Sequence, residues 1–470
     1  MSAQRLEDVG KLLLRILVAG LVASADAAWA QRPSPPPYQI VRHGEDYAYL
    51  SEPTRRSDLL DPIKYIPLSA SRPDWYLSLG GEVRERVEVF HNTDWQPTPT
   101  DGFTLQRYML SADLHLGPRV RMFANFKSGL QDGRRGGPRP TDEDRLDVHE
   151  AFVDLRFGEK KTQVVRVGRR EMAFGSQRLV AVRAGPNVRQ SFDGISVVVA
   201  PGAWRVEAFA TKPVRTDAGA FDDDTDHTRT FWGVYATGPL RPLEHAGIDV
   251  YYLGLDRKLA RFDQGTAAEL RESVGARLWR RAAPWDYNFE AVYQWGRFGT
   301  GPIRAWTFAS DTGLTLAEAA WRPRFGLKAD VTSGDRDPGA PTLQTFNPLF
   351  PKGAYFGENQ LIGPVNHMDL HPSVDLHPVE GVTVTPSWDF FWRESLQDGL
   401  YGVPGNLLRP AGGSRSRFVG SQPAMMVTVE IGRHVSIAAD WEYFIAGPFL
   451  RDTGPAKNVT YVGSWIGYVF

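Results

Sequence analysis

The chain has 470 residues, a formal net charge of −1, 23% charged residues and no cysteine. So balanced a charge leaves no electrostatic footprint for nucleic acid, and the missing thiols exclude disulfides, thiol catalysis and cysteine metal sites. Forty-six glycines, 34 prolines and 12% aromatics favour strands and turns over helices, and beyond the N-terminus no apolar window is long enough for a helical membrane span. Among 54 basic residues only ten are lysine, so the positive charge is carried by arginine, whose planar fork pairs bidentately with carboxylates.

Residues 1–30 read as a secretory signal. Lys11 and Arg15 precede an apolar run from Ile16 to Ala25, and Ala28-Trp29-Ala30 is an A-x-A cleavage site. Pro33 to Pro37 form a stiff spacer within a periplasmic N-terminal lead-in over 31–74. From Trp75 the chain breaks into period-two segments. The first, Trp75 to Phe90, sets Trp75, Leu77, Leu79, Val83, Val87 and Val89 on one face and Ser78, Glu82, Arg84, Arg86 and Glu88 on the other. A water-soluble sandwich with this alternation would aim charges into its core, whereas a wide barrel turns them toward a wet lumen. Further strands are predicted over 103–116, 119–128, 146–157, 163–170, 192–200, 204–212, 230–238, 246–255, 271–280, 285–296, 303–315, 323–333, 373–379, 382–393, 423–432, 434–444 and 460–470. That makes eighteen, an even number, as in single-chain bacterial barrels. The clearest puts Trp285, Tyr287, Phe289, Ala291, Tyr293 and Trp295 on one face against Asp286, Asn288, Glu290 and Gln294 on the other.

The connections supply a second signal. Short turns at Gly117-Pro118, 158–162, 201–203, 281–284, 379–381 and Gly432-Arg433 alternate strictly with long polar loops at 91–102, 129–145, 171–191, 213–229, 256–270, 334–372, 394–422 and 445–459; 239–245 and 316–322 are borderline. The last strand, Thr460 to Phe470, is uncharged and aromatic on both faces. As a soluble edge it would invite aggregation, but closure in lipid removes the edge. A final strand ending in Phe is also the form of an outer-membrane assembly signal. With Phe470 at the periplasmic end, the short turns fall in the periplasm and the long loops outside. The fold class is therefore all-β: a single outer-membrane antiparallel barrel of about eighteen strands spanning 75–470.

Several runs resemble the alginate export (alginate outer-membrane porin) family. They are Leu77-Ser78-Leu79-Gly80-Gly81-Glu82-Val83-Arg84, Gln106-Arg107-Tyr108 through Leu114-His115-Leu116-Gly117-Pro118, Gly168 to Val180, Arg183 to Gly194, Phe346-Asn347-Pro348-Leu349-Phe350-Pro351 and Tyr355-Phe356-Gly357-Glu358. The likeness runs from about residue 62 to the end. It implies a monomeric eighteen-stranded barrel whose arginine-rich lumen passes a polyanionic polysaccharide such as alginate, with loops and a periplasmic turn as lids.

Passage of a polyanion needs fixed positive charge at a constriction, spaced so that successive carboxylates move between weak sites. The inward faces offer Arg84 and Arg86 on the first strand, Arg107 on the second, Arg121 on the third, Arg166 on the fifth and Arg393 on the fifteenth. Glu82, Glu88, Asp113, Glu150 and Asp154 are expected to hold these guanidinium groups extended by salt bridges. Loop 171–191 carries Arg178, Arg183 and Arg189 and is too apolar for water, so it is expected to fold inward and narrow the lumen. Segment 334–372, with Phe346, Leu349, Phe350, Tyr355, Phe356, Leu361 and Ile362, is the second such element.

Other patterns carry less. The run Asp222 to Asp226 reads as a solvated loop before it reads as a cation site. His367 and His371 would chelate a metal only on a helix, which Pro364 and Pro372 oppose. No nucleophile–base cluster stands out, so neither an enzyme nor a cofactor or metal is called for. The expected partners are an anionic polysaccharide or other anionic solute, outer-membrane lipid, the barrel assembly machinery and possible periplasmic export partners. Two rivals remain: a diffusion porin for small solutes, and a plugged surface barrel whose loops do the binding.

Overall fold

A strand whose side chains alternate between apolar and charged is stable only where its two faces meet different solvents. The computed structural model, which describes residues 35–158 and 162–470, gives this chain that arrangement. The signal-peptide reading of residues 1–30 lies outside the described residues. Eighteen strands form the wall: β1 (Trp75–His91), β2 (Asp101–Leu116), β3 (Val120–Asp132), β4 (Asp144–Phe157), β5 (Gln163–Arg170), β6 (Phe192–Val199), β7 (Arg205–Arg215), β8 (Arg229–Pro239), β9 (Ala246–Phe262), β10 (Gly265–Arg280), β11 (Trp285–Phe298), β12 (Gly301–Thr315), β13 (Arg324–Thr332), β14 (His367–Asp375), β15 (Val382–Trp392), β16 (Phe418–Ile431), β17 (Val435–Ala446) and β18 (Val459–Val469). Each pairs antiparallel with its neighbour. β18 pairs back onto β1 from Glu82↔Val469 to His91↔Thr460, which closes the cylinder and leaves no free edge.

The outward face is apolar and exposed: Leu110 is 55% and Val167 53% accessible, while the inward neighbour Arg107 is 5%. Trp295, Trp306, Trp388 and Trp441 join this outer surface, which only lipid would reward. No helix among the described residues is long and apolar enough to cross a membrane; the crossing is made by strands.

Two parts of the predicted organisation need correction. The span 256–270 is no loop, because β9 and β10 run on to a tight turn at Asp263-Gln264, with Phe262 opposite Gly265. A second two-residue turn, Gly299-Thr300, joins β11 to β12, so long and short connections do not alternate strictly. Strand β14 starts at His367 and not at 373; it contains Pro372, whose missing N–H falls in a gap of the β14–β15 ladder between Leu370 and Ser373.

The lumen is not a water-filled tube either. Met172, Leu179, Val180, Phe346, Leu349 and Phe350 from loops 171–191 and 333–366 pack against inward Phe192, Phe209, Phe231, Tyr235 and Tyr251. The inward charges are correspondingly buried, and they are stable there because they are paired.

Candidate solute pathway

The two long loops meet inside the barrel through backbone hydrogen bonds. Ala181 N donates to Phe350 O and Phe350 N to Leu179 O, both at 2.9 Å, and Lys352 N donates to Gln177 O at 3.1 Å. One loop leaves the wall after β5 and the other after β13, so together they form a bar across the lumen.

Three wall arginines bracket the first loop. Arg84 donates to Ala184 O (2.8 Å) and Pro186 O (3.1 Å), Arg107 to the same two carbonyls (2.9 and 3.1 Å), and Arg86 to Gly185 O (3.5 Å). Arg183 just before them has φ 55°, the left-handed kink that turns three successive carbonyls toward the wall. Glu82 accepts from Arg107 Nε at 2.9 Å and lies 3.4 Å from Arg189. Arg86 pairs with Glu88 at 2.6 Å and with Glu358 of the second loop at 2.9 Å.

Lower in the wall Arg121 forks onto Asp113, both bonds 2.7 Å, and Arg166 onto Asp154 at 2.7 and 2.8 Å. Arg189 holds Glu171 bidentately at 2.6 and 2.8 Å. Arg178 lies 3.4 Å from Glu290 and 3.6 Å from Asp330. Arg183 donates to Gln190 Oε1 at 3.2 Å and meets no carboxylate among the described residues.

Two expectations differ from the geometry. Arg393 falls one residue beyond β15 and is fully buried; it donates to the carbonyls of Leu396, Asp398, Ser414 and Ser416 and covers the Phe449 ring. With its donors spent on backbone it staples the outer loop 393–417 and does not face a passage. Glu150 forms no salt bridge with an arginine among the described residues; it accepts from Glu171 N at 3.0 Å and meets His43 Nδ1 at 2.6 Å.

The discounted motifs have structural work. Asp223 and Asp144 each take Lys127 Nζ at 2.7 Å, and the Asp222 and Asp223 amides donate to Asp147. The aspartate run is thus an anchored loop, with an ammonium already among its carboxylates. His367 and His371 lie on one face of a strand, about 13 Å apart at strand rise, too far for one ion; they lie 3.6 Å from Asp369 and 3.0 Å from Asp389.

What the sequence reading missed is a cavity of about 290 Å³ beside β10–β14, toward the short-turn end. Its lining includes Arg178, Trp279, Arg281, Lys328, Lys352, Tyr355 and Asp369. Of the acids lining it, Asp286 and Asp311 lie 2.5 and 3.5 Å from Arg324, Asp330 lies 3.6 Å from Arg178, and Asp369 lies 3.6 Å from His367. Lys328 and Lys352 form no salt bridge among the described residues, and Arg281 lies over the Trp279 ring at 5.3 Å. Burial, then the nearby Lys328 and Arg178, lower the Lys352 ammonium to about 8. Lys352 was legible only as a lone cation after Pro351 in an apolar segment.

The comparisons agree with this architecture. The family model described as alginate export matches residues 75–463. Among solved structures, the Pseudomonas aeruginosa outer membrane protein OpdK is 12% identical, with 84% of this chain and 99% of that chain covered and a TM-score of 0.56. OccK2 (OpdF) of the same organism, solved in complex with glucuronate, is 11% identical over 84% and 98%, TM-score 0.56. OpdK with vanillate is 13% identical over 83% and 98%, TM-score 0.53. No curated protein matches the chain.

Proposed function

The chain belongs to the alginate export family and is an integral outer-membrane channel; from that premise we propose that it passes anionic solutes of about one acidic ring at a time. The supporting observation is the cavity under the loop bar, lined by Lys328, Lys352 and Arg281, which form no salt bridge among the described residues, together with the carboxylates of Asp330 and Asp369. Elsewhere the lumen arginines of the pathway are mostly matched by carboxylates or spent on backbone, so they shape the passage without adding free charge. A volume of about 290 Å³ lies just below the roughly 300–1,000 Å³ typical of small-molecule sites. It suits one carboxylate-bearing ring better than several linked ones. The small carboxylates named with the OpdK and OccK2 structures fit the same reading.

A second reading, transit of an intact anionic polysaccharide, is favoured by the family's description. It requires part of the lumen filling to move. Planar-bilayer recording separates the two. For the small-solute reading, currents in a KCl gradient are anion-selective and free uronate blocks them at least as well as oligouronate. Stronger block by longer oligomers would favour the polymer, and cation selectivity would remove both.

A further inference from the structure

Residues 35–65 belong to no strand of the wall, yet part of this segment enters the lumen. The two-residue strand Ile66–Pro67 pairs with Leu77 and Tyr76 of β1, which fixes where the segment meets the rim at the short-turn end. From there the chain runs inward. Tyr47, Leu50 and Tyr65 are buried with Tyr76, Arg42 donates to Phe470 O at 2.7 Å, and His43 reaches Glu150 on β4 at 2.6 Å. Its ring lies against Phe123 and Phe152, with centroids 5.9 and 5.1 Å away.

Glu150 is seven residues from the short-turn end of β4 at Phe157. Strand rise and a tilt of about 40° place His43 about 18 Å up the axis, deep in an apolar band about 25 Å tall. There the segment meets loop 171–191 coming from the other end. Arg189 donates to Ile40 O, Arg121 donates to His43 O at 2.8 Å, and the Glu150 carboxylate is shared between His43 and the Glu171 amide. One buried carboxylate thus joins arm, wall and loop.

These bonds run from side chains to single carbonyls or carboxylates, without a backbone ladder. Such a segment opens at far lower cost than the barrel unfolds. It fills the lumen beneath β1–β5, while the cationic cavity lies across the barrel beside β10–β14.

We propose that residues 38–47 are a built-in plug that sets the size of solute the channel passes: seated, it restricts flow to the cavity side; withdrawn, it opens the other half to longer anions. The inference rests on the channel reading and adds its regulation. Three forms are compared in planar bilayers after folding is confirmed by heat-dependent gel mobility: the full chain, a form lacking residues 31–45, and Arg42→Ala/His43→Ala. Both altered forms should show higher conductance, on the order of twofold for half the section freed, and stronger block by long oligouronates than the full chain. A synthetic peptide of residues 35–48, added on one side only, should restore the lower conductance of the shortened form. Folded variants that conduct as the full chain does and ignore the peptide would overturn the plug while leaving the channel reading intact. Absence of conductance in all three, the full chain included, would overturn both.

Discussion

The bracket of Arg84 and Arg107 on Ala184 and Pro186 makes a quantitative prediction, because each carbonyl has two donors. Arg84→Ala removes two charge-assisted bonds, but both carbonyls keep Arg107, and two converging cations become one. The net cost is about 1–2 kcal/mol. Arg107→Ala leaves Glu82 with Arg189 alone at 3.4 Å, and truncating one partner of a buried pair costs about 3–5 kcal/mol. Only the double variant orphans the carbonyls, at about 1–3 kcal/mol each. The double variant should therefore be destabilised beyond the sum of the singles by about 2 kcal/mol or more. Urea titration of detergent-folded protein, followed by tryptophan emission and by gel mobility, gives the cycle. Additivity within about 0.5 kcal/mol would show that the two arginines do not share the loop, and the bracket would be wrong.

Three further outcomes are expected. Lys352 is protonated below about 8, so block by a monocarboxylate should weaken as pH rises from 7 to 9; Lys352→Gln should weaken it at pH 7, flatten the profile and approach the unmodified protein at pH 9. Lys64 is buried among Tyr38, Tyr47 and Phe470; burial first, then Arg42, lower its ammonium to about 7. The docked arm therefore releases a proton that the undocked arm keeps until near the ordinary lysine value. Docking should tighten as pH rises from about 7 toward the ordinary lysine value and stay at its weakest, without further change, below 7, seen as more frequent high-conductance openings at pH 6 than at pH 8.5, a difference absent in Lys64→Met. Gly168 on β5 has φ 134°, and a Cβ there would lie 2.2 Å from Ala151 O. Gly168→Ala should cost about 3 kcal/mol in the same urea assay.

The wall was legible wherever one face met lipid and the other did not. Trp285 to Trp295 declares its strand because every second residue is apolar. The signal fades where β9 and β10 outrun the apolar band: Asp256, Arg257, Lys258 and Arg261 read as a loop, although backbone pairing continues to Phe262. Pro372 hid the start of β14 for a related reason, since its missing bond is harmless in a ladder gap that no sequence pattern announces. The pathway residues were legible as charges with acidic partners, since Glu82, Glu88, Asp113 and Asp154 do meet wall arginines, but not as anchors of the loop. In the sequence Arg84 and Arg107 look like lumen-facing cations, and only the inward loop reveals that carbonyls 77 to 102 residues away take up their donors. Likewise, nothing local marks Ile40, Arg42 and His43 as belonging inside the barrel.

The backbone joint between Val180 and Phe350 has a mechanical meaning. Loops rooted after β5 and after β13 are fastened together, so distant arcs of the cylinder are braced by a tie-rod instead of by the wall alone. A ring of eighteen ribbons would otherwise flex between round and oval. Here such breathing must stretch hydrogen bonds near 2.9 Å, so the bore behaves as a fixed aperture until the rod itself lets go.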